Sequence, residues 1–351
     1  MNLTRCRRLI DGAIATFELD LSSRVLLTEA ATNYYMLTPL IAALAGAEQV
    51  YALTRNSSYG TAEKIRDETT MLARRWGVDA RIEVLVDRTD RRIEEADIVT
   101  NLGFVRPLDA AFLARLKPTV AVPLMWETWE WRPEDLDLAE CRRLGIPVLG
   151  TNEHHPELST FRYIGHIALK LLLESDIEVL KSRIVIVGSG DFAAEASATV
   201  RAAGAHVVVL DPREREGLRS DIARESLRAA DALVVVEHHT REMLIGTPGQ
   251  LAAHQLCQLN PALVILHICG NVDGQALRQL GMWCRPSRFA PPGCMSVATD
   301  YVGPRPLIDL HTAGLKVGEI LAGARLRGLA REEAESLALA VSPLCQGFPE
   351  A

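Results

Sequence analysis

The sequence predicts an α/β protein with two doubly wound parallel-sheet domains and a cleft between them. The chain has 351 residues, more than a single hydrophobic core of ordinary size contains. Short runs rich in β-branched residues alternate with longer amphipathic runs, which is typical of βαβ units on a parallel sheet. This alternation is interrupted once by a long amphipathic run and then begins again, which indicates a second domain.

The first half of the chain contains six candidate strands and four candidate helices. Strands are predicted at residues 24–28, 49–53, 81–86, 97–100, 119–124 and 147–150. Helices are predicted at residues 33–47, 59–76, 107–116 and 133–144. Together they predict one doubly wound domain.

The second half repeats the same rhythm after a connecting helix predicted at residues 156–180. Strands are predicted at residues 183–187, 206–210, 232–236 and 263–267, with helices that start near Ala193, Glu225 and Gln275. A loop is predicted from Pro291 to Pro306, followed by helices at 307–326 and 331–340. We expect one domain at 1–155 plus 305–351 and the other at 156–304.

The composition favours a globular protein with a small-molecule ligand. Acidic residues outnumber basic ones, 45 to 38, for a net charge of −7, whereas nucleic-acid binding requires clustered Lys and Arg. Asp11 and Glu18 interrupt the region where a signal peptide needs an apolar core. No run approaches the length of a membrane span. Seven cysteines without a C-x-x-C pair indicate a reducing, cytoplasmic location, and the scattered His and Cys predict no metal site.

One glycine motif carries most of the functional prediction. An apolar strand, residues 184–187, runs into Gly188, Gly190 and Ala193, a G-x-G-x-x-A pattern at the start of a helix. The first glycine allows a tight turn, the second allows backbone to approach a diphosphate, and the alanine allows close helix–strand packing. The diphosphate would bind at the helix N-terminus. This pattern predicts a Rossmann-type dinucleotide site; the alternative is an ordinary glycine-rich α/β turn or a vestigial nucleotide site.

The next strand ends in Asp211, where an acid accepts hydrogen bonds from the adenosine ribose. Its charge would repel a 2′-phosphate, which favours NAD over NADP, although Arg213 weakens that preference. The predicted cofactor-binding residues are Gly188, Ser189, Gly190, Asp191, Phe192, Asp211, Pro212, Arg213 and His238.

Several segments resemble the D-2-hydroxyacid dehydrogenase-like (formate/glycerate dehydrogenase-like) superfamily. They are residues 135–152 before the glycine motif and residues 230–236, 259–266, 272–273 and 276–277 after it. The resemblance implies two α/β domains with a cleft, bridged by the helix near Pro156 and by a returning C-terminal helix. It also implies an NAD cofactor, a homodimer, and catalysis by an Arg, a Glu and a His.

The sequence departs from that family at two catalytic segments. The family's arginine segment is replaced by Ile-Cys-Gly-Asn at 268–271, and its histidine segment by Pro-Pro-Gly-Cys at 291–294. Without a guanidinium to bind a keto acid and an imidazole to move its proton, the standard reaction lacks its machinery. The segment from His267 to Asp273 has a looser similarity to a segment of S-adenosylhomocysteine hydrolase, an enzyme that retains NAD.

Ligand contacts in this architecture lie after the carboxyl ends of strands. The titratable residues there are Glu29, Glu127, His238, His239 and His267. Histidine is a natural proton carrier at neutral pH, but a strand-end histidine is also commonly a hydrogen-bonded structural residue. The predicted catalytic side chains are His267, His238, Glu127 and Arg305.

Three of the five tryptophans lie within residues 125–131, interleaved with Glu127 and Glu130. A wall of aromatic rings would suit a substrate with an apolar or cationic part, while the alternative is packing at a domain or dimer interface. The predicted substrate residues are Asn101, Trp126, Trp129 and His311. Arg305 is a candidate clamp for a substrate carboxylate, and Asp309 an N-terminal helix charge.

These patterns predict an NAD-dependent oxidoreductase with altered catalytic residues that acts on a small carboxylate- or amine-bearing metabolite. Two alternatives stay open. One is an NAD-retaining lyase or hydrolase that oxidises and re-reduces its substrate, and the other is a protein that binds a nucleotide without chemistry.

Overall fold

The computed structural model describes residues 1–349. The chain forms two compact units, unit 1 from Met1–Leu158 with Pro304–Ala351 and unit 2 from Ser159–Gly303. In the described part of the chain, no helix is both long enough and apolar enough to cross a membrane.

The N-terminal part of unit 1 alternates strands and helices. Its helices are α1 Leu3–Thr16, α2 Leu37–Leu44, α3 Ala62–Trp76, α4 Ala110–Leu113 and α5 Leu138–Leu144. Its strands are β1 Val25–Glu29, β2 Gln49–Leu53, β3 Ile82–Leu85, β4 Ile98–Val99, β5 Val122–Pro123 and β6 Val148–Thr151. The sequence analysis did not predict α1, although Cys6, Leu9, Ile10 and Ala13 bury one face of it at helical spacing.

Unit 2 has the same alternation. Its helices are α6 Arg162–Leu173, α7 Gly190–Ala202, α8 Asp221–Arg228, α9 Ala253–Leu259 and α10 Gly274–Gln279. Its strands are β7 Arg183–Val187, β8 His206–Leu210, β9 Ala232–Val236, β10 Val264–Cys269 and β11 Cys284–Arg285. The prediction of one connecting helix at 156–180 was wrong in extent, because α6 has only 12 residues.

The chain then returns to unit 1 through α11 Pro304–Leu326, α12 Arg331–Val341 and the short strand β12 Cys345–Gln346. The helix α11 begins at Pro304 rather than at the predicted residue 307. Proline is favoured in the first turn of a helix because its missing N–H would have no partner there.

The sheet of unit 1 has the strand order β3-β2-β1-β4. A parallel bridge from Ile98 to Ala121 continues it into β5 and β6, where β12 pairs antiparallel. The strand order of the sheet therefore reverses between β1 and β4. The expectation of a flavodoxin-like domain implies the order 2-1-3-4-5, and unit 1 does not have it.

The sheet of unit 2 has the order β11-β10-β9-β7-β8, with all pairs parallel. In that unit's own numbering it is the order 2-1-3-4-5, with its reversal between β7 and β9. Helices cover both faces of each sheet, so the predicted fold class of two doubly wound α/β sheets is confirmed.

Adjacent residues of the central strands contribute to opposite cores. Leu26 of β1 packs with α1, α2 and α11, whereas Leu27 packs with α4 and α5. In unit 2, Ile184 of β7 packs with α6 and α7, whereas Val185 packs with α8 and α9. Successive strand side chains point to opposite faces, so continuous apolar strands have both faces covered.

Candidate functional site

The glycine turn of unit 2 joins β7 to α7 and packs directly on the end of β9. A Cβ on Gly188 would lie 2.7 Å from Val236 Cγ2 and 3.0 Å from the Val236 carbonyl carbon. Gly190 has φ +58°, a left-handed conformation that glycine adopts without steric cost. Both glycines are therefore required by the backbone, in agreement with the motif, and the turn lies where the strand order of unit 2 reverses.

The N-terminus of α7 has no side-chain cap from its N-cap residue, Ser189, within the described chain, because the Ser189 hydroxyl donates to Glu237 Oε2 at 2.6 Å. The first N–H groups of a helix have no partners inside the helix, and its dipole favours negative charge there. These N–H groups suit a phosphate.

Glu237 fixes the loop after β9 against this turn, and the sequence analysis did not select it. Its side chain is buried, and Oε1 accepts hydrogen bonds from the backbone N–H of His239 at 2.7 Å and of Thr240 at 2.9 Å. With the bond from Ser189, the carboxylate has three donors. The sequence signal that could have identified Glu237 is a charged residue directly after the apolar run of β9.

Two histidines cover the open side of the turn. The ring of His238 stacks on Phe192 with centroids 4.0 Å apart, and the ring of His239 lies 3.9 Å from that of His238. Burial lowers the pKa of His238 to about 4. A Cβ on Gly190 would lie 2.6 Å from His239 Nε2, so exposed His239 occupies the side that a diphosphate would approach. The turn fits a dinucleotide if the His239 ring rotates aside.

Asp211 lies at the end of β8, as predicted, and forms a two-pronged pair with Arg213. Arg213 donates from Nη2 to Oδ2 at 3.0 Å and from Nε to Oδ1 at 3.2 Å. This side-chain hydrogen bonding lowers the pKa of Asp211. The carbonyl of Pro212 accepts from Gln250 Nε2 at 2.7 Å. Asp211 thus stays ionised, while Arg213 brings a positive charge to the same position.

The predicted catalytic residue His267 is a buried structural side chain in this structure. Its Nδ1 lies 2.7 Å from Ser296 Oγ, its Nε2 lies 2.9 Å from the Gly270 carbonyl, and its ring stacks on Phe289. Burial lowers its pKa to about 4. Both ring nitrogens are used internally and the side chain is fully buried, so it offers no accessible atom to a substrate.

Glu127 in unit 1 also has internal partners. Its Oε2 accepts from Trp129 Nε1 at 2.7 Å and its Oε1 from the Glu153 backbone N–H at 3.1 Å. Glu130 and Glu153 hydrogen-bond to each other beside it. Burial, with the nearby charge of Glu127, raises the pKa of Glu130 to about 7, and burial with both neighbouring charges raises that of Glu153. The three carboxyls form a desolvated cluster that the sequence did not predict.

The three clustered tryptophans do not form one wall, contrary to the expectation. Trp126 faces the Arg106 guanidinium at 5.2 Å, and Trp131 packs edge-on against Phe348. Trp129 is 47% exposed. Only Trp129 and Trp131 border the open groove of about 730 Å³ on this part of unit 1.

Of the remaining predicted residues, Asn101 and His311 are buried in unit 1, whereas Arg305 is accessible. Buried Asn101 accepts from the Met125 backbone N–H at 2.9 Å. Buried His311 hydrogen-bonds Thr38 Oγ1 through Nδ1 at 2.7 Å, and burial lowers its pKa to about 3. Arg305 is half exposed and lies 3.7 Å from Asp309 Oδ2. Both Asn101 and His311 are buried, so neither projects into solvent.

Metal ligation has no obvious location in the described residues. Within positions 1–349, no three His, Cys, Asp or Glu side chains are grouped so that they could hold a metal ion.

Comparison with known proteins finds similarity in fold. No protein-family model matches the sequence, and no curated protein matches it. Similar solved structures include a dipicolinate synthase chain from Bacillus halodurans, with 10% identity, a TM-score of 0.49, and coverage of 87% of this chain and 99% of that one. A putative D-3-phosphoglycerate dehydrogenase from Ralstonia solanacearum has 14% identity, a TM-score of 0.48, and coverage of 92% and 99%.

A glyoxylate reductase from Paecilomyes thermophila has 11% identity and a TM-score of 0.44, with coverage of 88% of this chain and 97% of that one. These similarities concern the fold alone.

Proposed function

We propose that the protein is an NAD-dependent oxidoreductase that acts on a small carboxylate- or amine-bearing metabolite. The observation that carries the proposal is the uncapped N-terminus of α7 at the strand-order reversal of unit 2. Ligands of doubly wound sheets bind at such reversals, outside the carboxyl ends of the strands.

Several residues of unit 2 bind different parts of the dinucleotide or position the loop beside it. The backbone N–H groups at the start of α7 bind the diphosphate, and Asp211 accepts hydrogen bonds from the adenosine ribose. Glu237 holds the β9 loop against the turn, and His239 moves off Gly190. The bound dinucleotide supplies hydride transfer, and the chain supplies binding and orientation.

Of the four predicted catalytic side chains, His238 and Arg305 remain candidates. His238 is half-buried beside the turn, and Arg305 is half exposed. His267 and Glu127 are assigned structural roles, because their polar atoms are used within their own units.

Calorimetric titration with NAD+, NADH and NADP+ tests the proposal. We expect Asp211→Ala to weaken NAD+ binding roughly 10- to 100-fold, because it removes hydrogen bonds to a charged group. The same variant frees Arg213 to meet a 2′-phosphate, so the ratio of NADP+ to NAD+ affinity should rise. Arg213→Ala should lower that ratio.

The matched control is Asp221→Ala, which removes an exposed aspartate of the same unit and should leave nucleotide affinity unchanged. The proposal fails if neither NAD+ nor NADH binds and the purified protein holds no nucleotide.

A further inference from the structure

Unit 1 has a strand-order reversal of its own, between β1 and β4, that the proposed nucleotide site does not use. A charged residue lies at or after the end of each of the four strands around it: Glu29 ends β1, and Arg55, Arg88 and Arg106 follow β2, β3 and β4. The carboxyl ends of parallel strands meet at one edge of the sheet, where ligands of such folds bind. This edge therefore brings Glu29 together with three guanidinium groups, two of which have acidic partners of their own.

Glu29 is a buried carboxylate with an unused oxygen. Only 5% of its surface is exposed, and Oε2 accepts the Phe104 backbone N–H at 2.9 Å. In the described chain Oε1 has no hydrogen-bond partner, yet it is not fully enclosed. A buried charged group normally has partners for its polar atoms, because its desolvation is costly. An external donor would complete this site.

Gly103 brings the loop after β4 close to this carboxylate. A Cβ at Gly103 would lie 3.2 Å from Glu29 Oε2 and 3.8 Å from Arg106 Nη2, and the first of these distances is tighter than an ordinary van der Waals contact. The loop thus closes around one side of Glu29 and leaves Oε1 as the accessible atom.

Arg55 is the cation of this edge that lacks an acidic partner. Its guanidinium carbon lies 5.5 Å from the centre of the Phe104 ring, and no carboxylate in residues 1–349 pairs with it. By contrast, Arg106 binds Asp135 at 2.6 Å and Arg88 lies 3.7 Å from Asp109. Arg55 is exposed and stands near both Glu29 and Arg88. It is free to bind an added anion.

We propose that Glu29 and Arg55 form a binding site for a free amino acid. Glu29 Oε1 accepts a hydrogen bond from the ligand's ammonium group, and the Arg55 guanidinium binds its carboxylate. Phe104 contacts both residues, through its backbone N–H to Glu29 and its ring to Arg55. Charge-assisted hydrogen bonds of this kind are among the strongest in proteins. The claim that amino acids are the substrate class rests on the proposed function. The binding site itself lies within unit 1, and binding there requires no nucleotide.

The charges around Glu29 predict how binding depends on pH. Burial raises its pKa, against the opposing effects of the Phe104 N–H, Arg106 and Arg55. An ammonium ligand favours the ionised carboxylate, so binding releases a proton wherever Glu29 is partly protonated. Affinity should therefore rise with pH through the range in which Glu29 titrates.

The test is titration of the whole protein, without nucleotide, with each of the twenty L-amino acids. For any amino acid that binds, two matched probes are titrated as well. One lacks only the amine and the other lacks only the carboxylate. We expect both probes to bind at least roughly 10-fold more weakly, since each leaves one charged partner unpaired. Glu29→Gln and Arg55→Gln should each lower the affinity for the amino acid by a similar factor.

Two controls separate binding from folding and from the nucleotide site. Arg74→Gln changes an exposed arginine of α3 and should leave affinity unchanged, and thermal unfolding verifies that each variant is folded. Asp211→Ala should leave amino-acid binding intact, so failure of the nucleotide proposal is distinguishable from failure of this one. The inference is overturned if no amino acid binds, if the amine-free acid binds equally well, or if both Glu29→Gln and Arg55→Gln retain full affinity.

Discussion

Glu237 is a single side chain on which the local geometry of the glycine turn depends. Its two oxygens take three hydrogen bonds, from Ser189 of the turn and from two backbone N–H groups of its own loop. Donors left unpaired in the interior cost about 1–3 kcal/mol each. Glu237 therefore positions the β9 loop rather than contacting the dinucleotide.

We predict that Glu237→Ala lowers the free energy of unfolding by about 2–5 kcal/mol, because three donors lose their acceptor. Glu237→Gln should cost less, since its amide oxygen still accepts the two N–H bonds and the Ser189 hydroxyl can reverse its role. Urea unfolding followed by circular dichroism measures both. Glu214→Ala, at an exposed glutamate of unit 2, is the control. Equal stability of the alanine and glutamine variants would contradict this assignment.

At the residue scale, sequence reasoning located glycines better than acids and bases. Gly188 and Gly190 have the conformations or close contacts that the motif requires, because the backbone geometry of a tight turn is a local property. His267, His311 and Asn101 were selected as functional, but their polar atoms bond to residues distant in sequence. No local pattern reveals such partners.

The packing of α6 on α7 depends on one small residue. A Cβ on Gly165 of α6 would lie 2.6 Å from the Glu195 carbonyl oxygen and 2.1 Å from Thr199 Oγ1 of α7. These contacts are closer than van der Waals distance, so the two helices meet only because Gly165 has no side chain.

We predict that Gly165→Ala destabilises the protein by about 1–3 kcal/mol through overpacking. Gly12 of α1 is the matched control, since a Cβ there meets nothing within 4 Å. Gly12→Ala should stabilise the protein by about 0.5–1 kcal/mol through helix propensity. Scanning calorimetry of both variants measures the effects, and a stabilising Gly165→Ala would show that the helices separate readily.

At the element scale, strands were predicted more closely than connections. The strand 49–53 and the strands 183–187, 206–210 and 232–236 have their predicted bounds, because short apolar, β-branched runs are a strong local signal. The helices α1 and α9 and the strands β11 and β12 were missed. The last two have only two residues each, and their pairing partners, rather than their own sequences, define them.

For the whole molecule, buried ionisable groups predict opposing effects of pH on stability. The pKa of Glu130 is about 7 in the folded state against 4.5 ordinarily, and that of Glu153 is also raised. At these two carboxyls the folded state therefore binds more protons than the unfolded chain between about pH 4.5 and 7, and they lower stability as pH rises through that range. Three histidines, buried or half-buried, have the opposite effect. The folded-state pKa is about 3 for His311 and about 4 for His238 and His267, against 6.5 ordinarily. These groups therefore lower stability as pH drops below 6.5.

We predict that Glu153→Gln raises the melting temperature at pH 8 relative to the parent protein, with a smaller gain at pH 5, because the amide removes a desolvated charge. Glu134→Gln, at an exposed residue near the same loop, is the control. Thermal unfolding at the two pH values measures the difference. A gain that is the same at both pH values would exclude titration of the cluster as the cause.

The sequence by itself determined the α/β class, most strand positions and the glycine turn, because hydrophobic periodicity and the conformational freedom of glycine act over a few residues. The tertiary structure decided the order of the strands, which polar side chains remain accessible, and the divergence of the three tryptophans. These depend on hydrogen bonds and burial between residues far apart in the chain, such as Thr38 with His311. Local pattern carries no information about such pairs until the chain has folded.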